Sequence, residues 1–241
     1  MSFFSPQRRK GTQRTAKVFV ALIVVSFIGA RVENSPPVVK ISAPARGTQF
    51  SWGAMVPYKI VVEDKEDGNS AYDEIVANKV FLSIRYVGDS TVLKKGLSTE
   101  LRASQDVLIA MGSTTCFNCH QMKTKLIGPS FEAIAQKYPN NDGSVQALSK
   151  KVISGTVGTW GEVQMPAHPE LSVEGAQQMV RWILKNGGDV NQDHLAGIEG
   201  TFRVREKRAG DTGKAVCVIT ATYGDSEGKI GQHTVVLRSK D

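Results

Sequence analysis

A chain of 241 residues that is 41% hydrophobic and 22% charged has the make-up of a folded protein with room for more than one compact unit. Its formal charge of +7 does not point to nucleic acid, because Arg8, Arg9, Lys10, Arg14 and Lys17 crowd into the first seventeen residues with no acidic residue among them. The remainder is nearly balanced and carries no basic stripe of the kind phosphate binding needs, so no nucleic-acid partner is expected.

Those five cations precede the apolar run Val18 to Ala30. A charged stretch followed by an apolar one is the pattern of a secretory signal. The run is short for a bilayer span, which takes about 20 residues. Ile28 before Ala30 is nevertheless a poor cleavage site, so residues 1–35 read either as a signal peptide or as an N-terminal membrane anchor. In both cases the chain after about Ser35 is expected to be exported to the periplasm. In the second case residues 18–30 hold it to the inner membrane.

Three regions follow. Residues 36–98 have β character: Val38 to Ser42, Tyr58 to Asp64 and Lys79 to Tyr86 are rich in β-branched and aromatic residues, with Pro, Gly, Asn and Asp between them. In the last of these, Val80, Leu82, Ile84 and Tyr86 face one way and Lys79, Ser83 and Arg85 the other, which marks a strand with one buried face. Residues 101–189 change period. A short helix is expected over Ser104 to Met111, and Phe131, Ile134, Ala135 and Tyr138 share one helical face behind Ser130. Val145, Leu148 and Val152 repeat the pattern behind Ser144. Val173, Ala176, Met179, Val180, Ile183 and Leu184 do so behind Ser172, up to Asn186-Gly187-Gly188. Residues 197–241 return to strands over Thr201 to Arg205, Val216 to Tyr223 and Thr234 to Arg238. The expected class is α+β multidomain: an all-α domain flanked by, or inserted into, an immunoglobulin-like β-sandwich. Three strands on each side are few for separate sandwiches and six together suffice, although two small β modules remain the alternative.

Cys116-Phe117-Asn118-Cys119-His120 is the C-x-x-C-H pattern of covalent haem attachment. Two thiols two residues apart reach both vinyl groups of one porphyrin, and the next histidine falls beneath the iron. A zinc site wants a second ligand pair that the sequence lacks. A redox disulfide wants a βαβ setting, whereas these flanks are helical. Haem attachment also agrees with export.

Around the pentapeptide, Thr124 to Phe131, then Gly155 to Gly161, then Gln164-Met165-Pro166 closely resemble the short bacterial class I cytochromes c, from about Ser104 to Asn186. The resemblance implies one covalent haem c (heme c) with His120 and Met165 as its iron ligands. It implies that the Pro129 carbonyl orients His120, that Gly128 allows a close approach to the haem, and that Trp160 packs on the haem and meets a propionate. Lys151 stands where the family often has an arginine for a propionate, which keeps the charge and loses the fork. His168 stands where an asparagine is usual, and reads as a loop histidine or as a rival ligand. His194 and His233 read as solvated. Cys217 is left over, on the apolar face of a strand, and reads as buried and inert or else as a reactive thiol.

The resemblance implies an electron carrier, not an enzyme, serving redox partners such as a periplasmic dehydrogenase or a respiratory complex. Phe117 and Gln121 are expected near the haem edge that meets them. A peroxidase or gas sensor with a displaceable Met165 is the alternative, as is a β-module adaptor that tethers the haem domain. The β segment from Pro36 to Gly68 resembles the modules that precede cytochrome domains in secreted sugar-dehydrogenase-like proteins. Its acidic stretch Glu63 to Gly68 reads as a plain surface turn more readily than as a calcium loop.

Overall fold

The computed structural model describes residues 1–2, 33–90 and 97–240, and Asn34–Asp241 form one compact unit. The apolar run over 18–30 lies outside the described residues. Among those described, no helix is long and apolar enough to cross a membrane.

Alternation of period two builds the β part. In β1 (Val38–Ala43), Val39 and Ile41 are buried. In β3 (Met55–Asp64) these are Val56, Tyr58, Ile60 and Val62, and in β5 (Val80–Val87) Val80, Leu82, Ile84 and Tyr86. Strands β7 (Glu199–Arg203), β8 (Val216–Gly224) and β9 (Ile230–Ser239) contribute Phe202, then Ile219, Ala221 and Tyr223, then Val235 and Leu237, to the same core. Cys217 lies in it too, its thiol pushed up to about 12 by burial, which makes it unreactive as a nucleophile.

Three short strands complete the sheets: β2 (Gln49–Phe50), β4 (Gly68–Asn69) and β6 (Gln192–Ala196). One sheet pairs β1 along one edge of β3, with β7 and β4 along the other; the second runs β2-β9-β8-β5-β6. Strands from before and after the helical stretch therefore share both sheets, with Leu82 of β5 opposite Ala221 on one side and Leu195 on the other. The acidic turn is more than surface: Asp64 accepts from the Glu66 and Asp67 N–H groups at 3.0 and 2.7 Å, and Asp67 accepts from the Tyr223 hydroxyl and the Ser226 N–H, both at 2.8 Å. It ties the first β region to the last.

The helical part comprises α1 (Leu97–Ser113), α2 (Phe131–Lys137), α3 (Asp142–Ser154) and α4 (Val173–Asn186). Helix α1 extends well beyond the expected Ser104 to Met111. Ser130 and Ser172 cap α2 and α4, accepting from the Ala133 and Gly175 N–H groups at 3.1 and 3.0 Å. Helix α3 begins earlier than its apolar pattern suggests, capped by Asn141, which accepts from the Ser144 N–H at 2.9 Å. Asn and Ser are comparable caps, so residue type alone does not choose between them.

Strand β5 differs from expectation in being buried on both faces. Phe81, turned away from the sandwich core, joins Leu108 and Met111 of α1, Phe117, Met122, Phe131, and Met179 and Trp182 of α4 in a second core. His194 is likewise not solvated. It sits on β6 at 4% exposure, with Nδ1 2.9 Å from Ser83 Oγ and its ring 5.2 Å from that of Trp182. Burial, then the charges of Arg85 and Lys123, push it down to about 3, so it is neutral. A histidine in an apparent linker became a strand residue once β6 paired with β5.

Candidate haem site

Between the helices lies a cavity of about 310 Å³, lined by the eight residues expected to bind the haem: Cys116, Cys119, His120, Gly128, Pro129, Lys151, Trp160 and Met165. Its walls are otherwise largely apolar, from Met111 and Ile134 to Leu148, Val152 and Met179.

A 3-10 turn over Cys116–Asn118 follows α1. Cys119 N–H and His120 N–H both donate to the Cys116 carbonyl, at 3.2 and 3.0 Å, so the turn folds both cysteines and the histidine toward one cavity. Cys116 and Cys119 are free thiols, with Thr114 Oγ1 3.4 Å from Cys116 Sγ. Burial raises the Cys116 pKa. That keeps it a neutral thiol.

His120 is fixed from two directions. Its Nδ1 lies 2.6 Å from the Pro129 carbonyl oxygen. A carbonyl can only accept, so Nδ1 carries the hydrogen and Nε2 keeps the lone pair a metal would take. Its ring stacks on Phe131, centroids 5.4 Å apart and planes 14° from parallel. Burial lowers the His120 pKa, with the Pro129 bond opposing and the neighbouring His168 adding to the fall. The imidazole is therefore neutral near pH 7, as ligation requires. Gly128 is where this loop comes closest: a Cβ there would fall 2.4 Å from His120 Cε1, and the Gly128 N–H donates to the Cys119 carbonyl at 2.8 Å. Any side chain would displace the imidazole.

Met165 comes from the loop between α3 and α4. It pairs with Thr156 in both directions, at 2.8 and 3.1 Å, which holds the loop across the cavity. Nearby, Lys151 Nζ donates to Thr159 Oγ1 at 3.2 Å and Lys137 Nζ to the Thr159 carbonyl at 3.3 Å. Lys137 also stands 4.3 Å from the Trp160 ring. Lys151 and Trp160 line the cavity and Lys137 stands beside them outside its lining, so positive charge gathers near one side of the site, suited to carboxylates such as haem propionates. His168 is not among the lining residues; its Nδ1 pairs with Glu170 Oε1 at 2.9 Å.

Two thiols, an imidazole with a free Nε2 and a thioether around an apolar cavity are the donor set of an iron porphyrin, so these residues fit a haem c. Phe131 and Lys137 were not singled out for the site by their residue types: an aromatic residue at a helix start reads as core, and a lone surface lysine carries no signal. Phe117 does not meet the solvent as expected. It is 8% exposed and packs between Phe81 and Phe131, leaving Gln121 as the exposed neighbour.

No family model matches the chain. Cytochrome c-552 of Nitrosomonas europaea is 38% identical over 69 residues, 29% of this chain and 67% of that protein. Cytochrome c-551 of Azotobacter vinelandii is 36% identical over 69 residues, 29% of this chain and 83% of its own length. Among solved structures, the crystal structure of N. europaea cytochrome c552 is 34% identical, covering 33% of this chain and 94% of that one, with a TM-score of 0.30. Such relatives are electron-carrier cytochromes rather than enzymes, and they bind one covalent haem c. Over the roughly 30% of its length that they match, the chain belongs to the class I monohaem cytochromes c.

Proposed function

We propose that the chain passes single electrons between exported redox proteins, through a haem domain over residues 101–189 inserted into an immunoglobulin-like sandwich of residues 36–98 and 197–241. One observation carries the reading: Cys116, Cys119, His120 and Met165 line the same cavity although the last lies 45 residues beyond the motif. Cys116 and Cys119 form the covalent links, and His120 Nε2 and Met165 Sδ ligate the iron. A haem so held supplies a metal centre that gains and loses one electron. The chain's own groups do the rest. Pro129 holds the His120 hydrogen at Nδ1, the Thr156 pairing holds Met165, the apolar walls exclude water, and Lys151, Lys137 and Trp160 receive the propionates. With His120 and Met165 both placed to hold the iron, a haem bound there would be left no open position for oxygen or peroxide and would supply outer-sphere electron transfer.

Residues 1–35 act as signal peptide or anchor and place the protein in the periplasm, with a dehydrogenase or a respiratory complex as partner. Residues 101–189 carry eight Lys and Arg against seven Asp and Glu, so docking depends only weakly on salt. The test is to purify the protein with its haem and record mass, visible spectrum and redox titration. One haem per chain, a single one-electron transition and a far-red methionine–iron(III) band lost in Met165→Ala are expected. Ready binding of carbon monoxide by the unaltered protein, with that band missing, would make it a gas sensor or peroxidase instead.

A further inference from the structure

We infer that Phe81, a strand residue of the β framework, positions the imidazole of His120 through two intervening aromatic rings. The inference rests on His120 being a haem ligand. The rings form a continuous series. Phe81 meets Phe117 at 5.0 Å between centroids and 63° between planes; Phe117 meets Phe131 at 5.5 Å and 86°; Phe131 stacks on His120 at 5.4 Å and 14°. Edge-to-face and stacked contacts at these separations are favoured arrangements of aromatic pairs, so each ring prefers the orientation its neighbour sets.

None of the rings has room to turn independently. Phe81 has no exposed surface, and Phe117 and Phe131 are buried. In an interior packed near crystal density, a shift of one ring has to be taken up by the next. The two ends of the series are held by different parts of the molecule. Phe81 sits in mid-sheet, paired with Ala196 of β6 and Thr222 of β8, and α1 presses on it from behind at Gly112, where a Cβ would fall 2.7 Å from its ring. Phe117 belongs to the haem-attachment turn itself, and the neighbouring Asn118 side chain bonds to that of Asn78, just before β5. At the far end the Pro129 bond fixes where the His120 ring lies, and the Phe131 face fixes its tilt. The strand therefore acts on the ligand plane without touching it.

The test uses the full-length protein with its haem. Phe81→Leu removes the first ring's edge, and Gly112→Ala pushes on that ring from α1 while leaving all four rings in place. Ile84→Val, in the sandwich core on the opposite face of the same strand, controls for loss of strand stability. The readouts are the haem-methyl proton shifts of the oxidised protein, which report the imidazole plane, and the equilibrium constant for reduction. Phe81→Leu and Gly112→Ala should each redistribute the methyl shifts and change that constant by at least about twofold, as expected of residues in one packed network. Ile84→Val should lower the unfolding temperature and move neither. Methyl shifts and a reduction constant unchanged in both test variants of a low-spin protein would overturn the relay alone. An unaltered protein that is not low-spin would overturn the ligand assignment, and the relay with it.

Discussion

The β framework and the haem region differ in what completes them. The framework closes its core with its own side chains, contributed in alternation by strands from both ends of the chain. The haem region sets its apolar side chains around a cavity shaped for a cofactor, on helices as short as the seven residues of α2. Isolated helices of that length are not stable in water, so the order of α2 comes from packing on α4 and into the core that Phe81 of β5 shares. A framework whose core is closed by its own side chains and a haem region that gains stability by binding should respond to substitution in different ways.

The largest effect expected from this contrast is in the haem region. Gly128→Ala places a Cβ 2.4 Å from His120 Cε1 and 2.9 Å from Nδ1, closer than packed atoms come. The imidazole must leave its place against Pro129 and Phe131. Haem attachment should fall severely, read as loss of haem staining on a denaturing gel, while the unfolding of the framework followed by strand circular dichroism stays near that of the unaltered protein. Normal haem content in this variant would show that the loop gives way instead, and that the site is less tightly defined than its distances indicate.

The framework offers the complementary case. Arg205 lies over the neighbouring rings of Trp52 and Tyr86, at 4.9 and 5.0 Å, and donates two bonds of 2.7 Å to Asp211, whose side chain is almost wholly buried. Removing one member of such a pair leaves the other charge without its partner. Arg205→Ala should cost about 3–5 kcal/mol in chemical denaturation. The visible spectrum should persist up to the new midpoint, because neither Trp52 nor Tyr86 lies in the second core that reaches the haem site. A spectrum altered well below that midpoint would join the two regions more closely than their separate cores suggest.

The same contrast governs what could be read from the chain. The haem site was legible because its chemistry dictates spacing: two thiols and a histidine must be sequential, and the Met-Pro pair and Trp160 fall at distances the resemblance supplies. The strands were legible by alternation, and Ser130 and Ser172 by their place before apolar faces. What alternation does not record is a second buried face. Val80, Leu82, Ile84 and Tyr86 mark the inward side of β5, but Phe81 looks like one apolar residue on a polar face until α1 and the attachment turn are laid over it. The same holds for His194, whose burial depends on β6 pairing with β5 and on Trp182 arriving from α4. Contacts between regions join residues of different elements, Phe81 with Phe117 and Ser83 with His194, and no local period reports them.

The seam between the regions has a titratable group of its own, and it gives the smallest of these effects. Asp193 is half-buried on β6 and raised to about 6, mainly because burial disfavours its charge, with the His194 N–H bond and Lys123 opposing. A carboxyl raised on folding contributes stability that is full below its unfolded value near 3.8 and declines as pH rises through the folded one. The unaltered protein should therefore lose stability between about pH 4 and 6, by at most about 3 kcal/mol from this group. Asp193→Asn keeps the Oδ1 that accepts from the His194 N–H at 2.8 Å and cannot ionise. It should match the unaltered protein at pH 4, exceed it at pH 7, and flatten the profile between, measured by denaturant titration at each pH. If the two profiles run parallel, the seam carries no buried charge, and His194 and Trp182 hold it by packing and by the bond to Ser83.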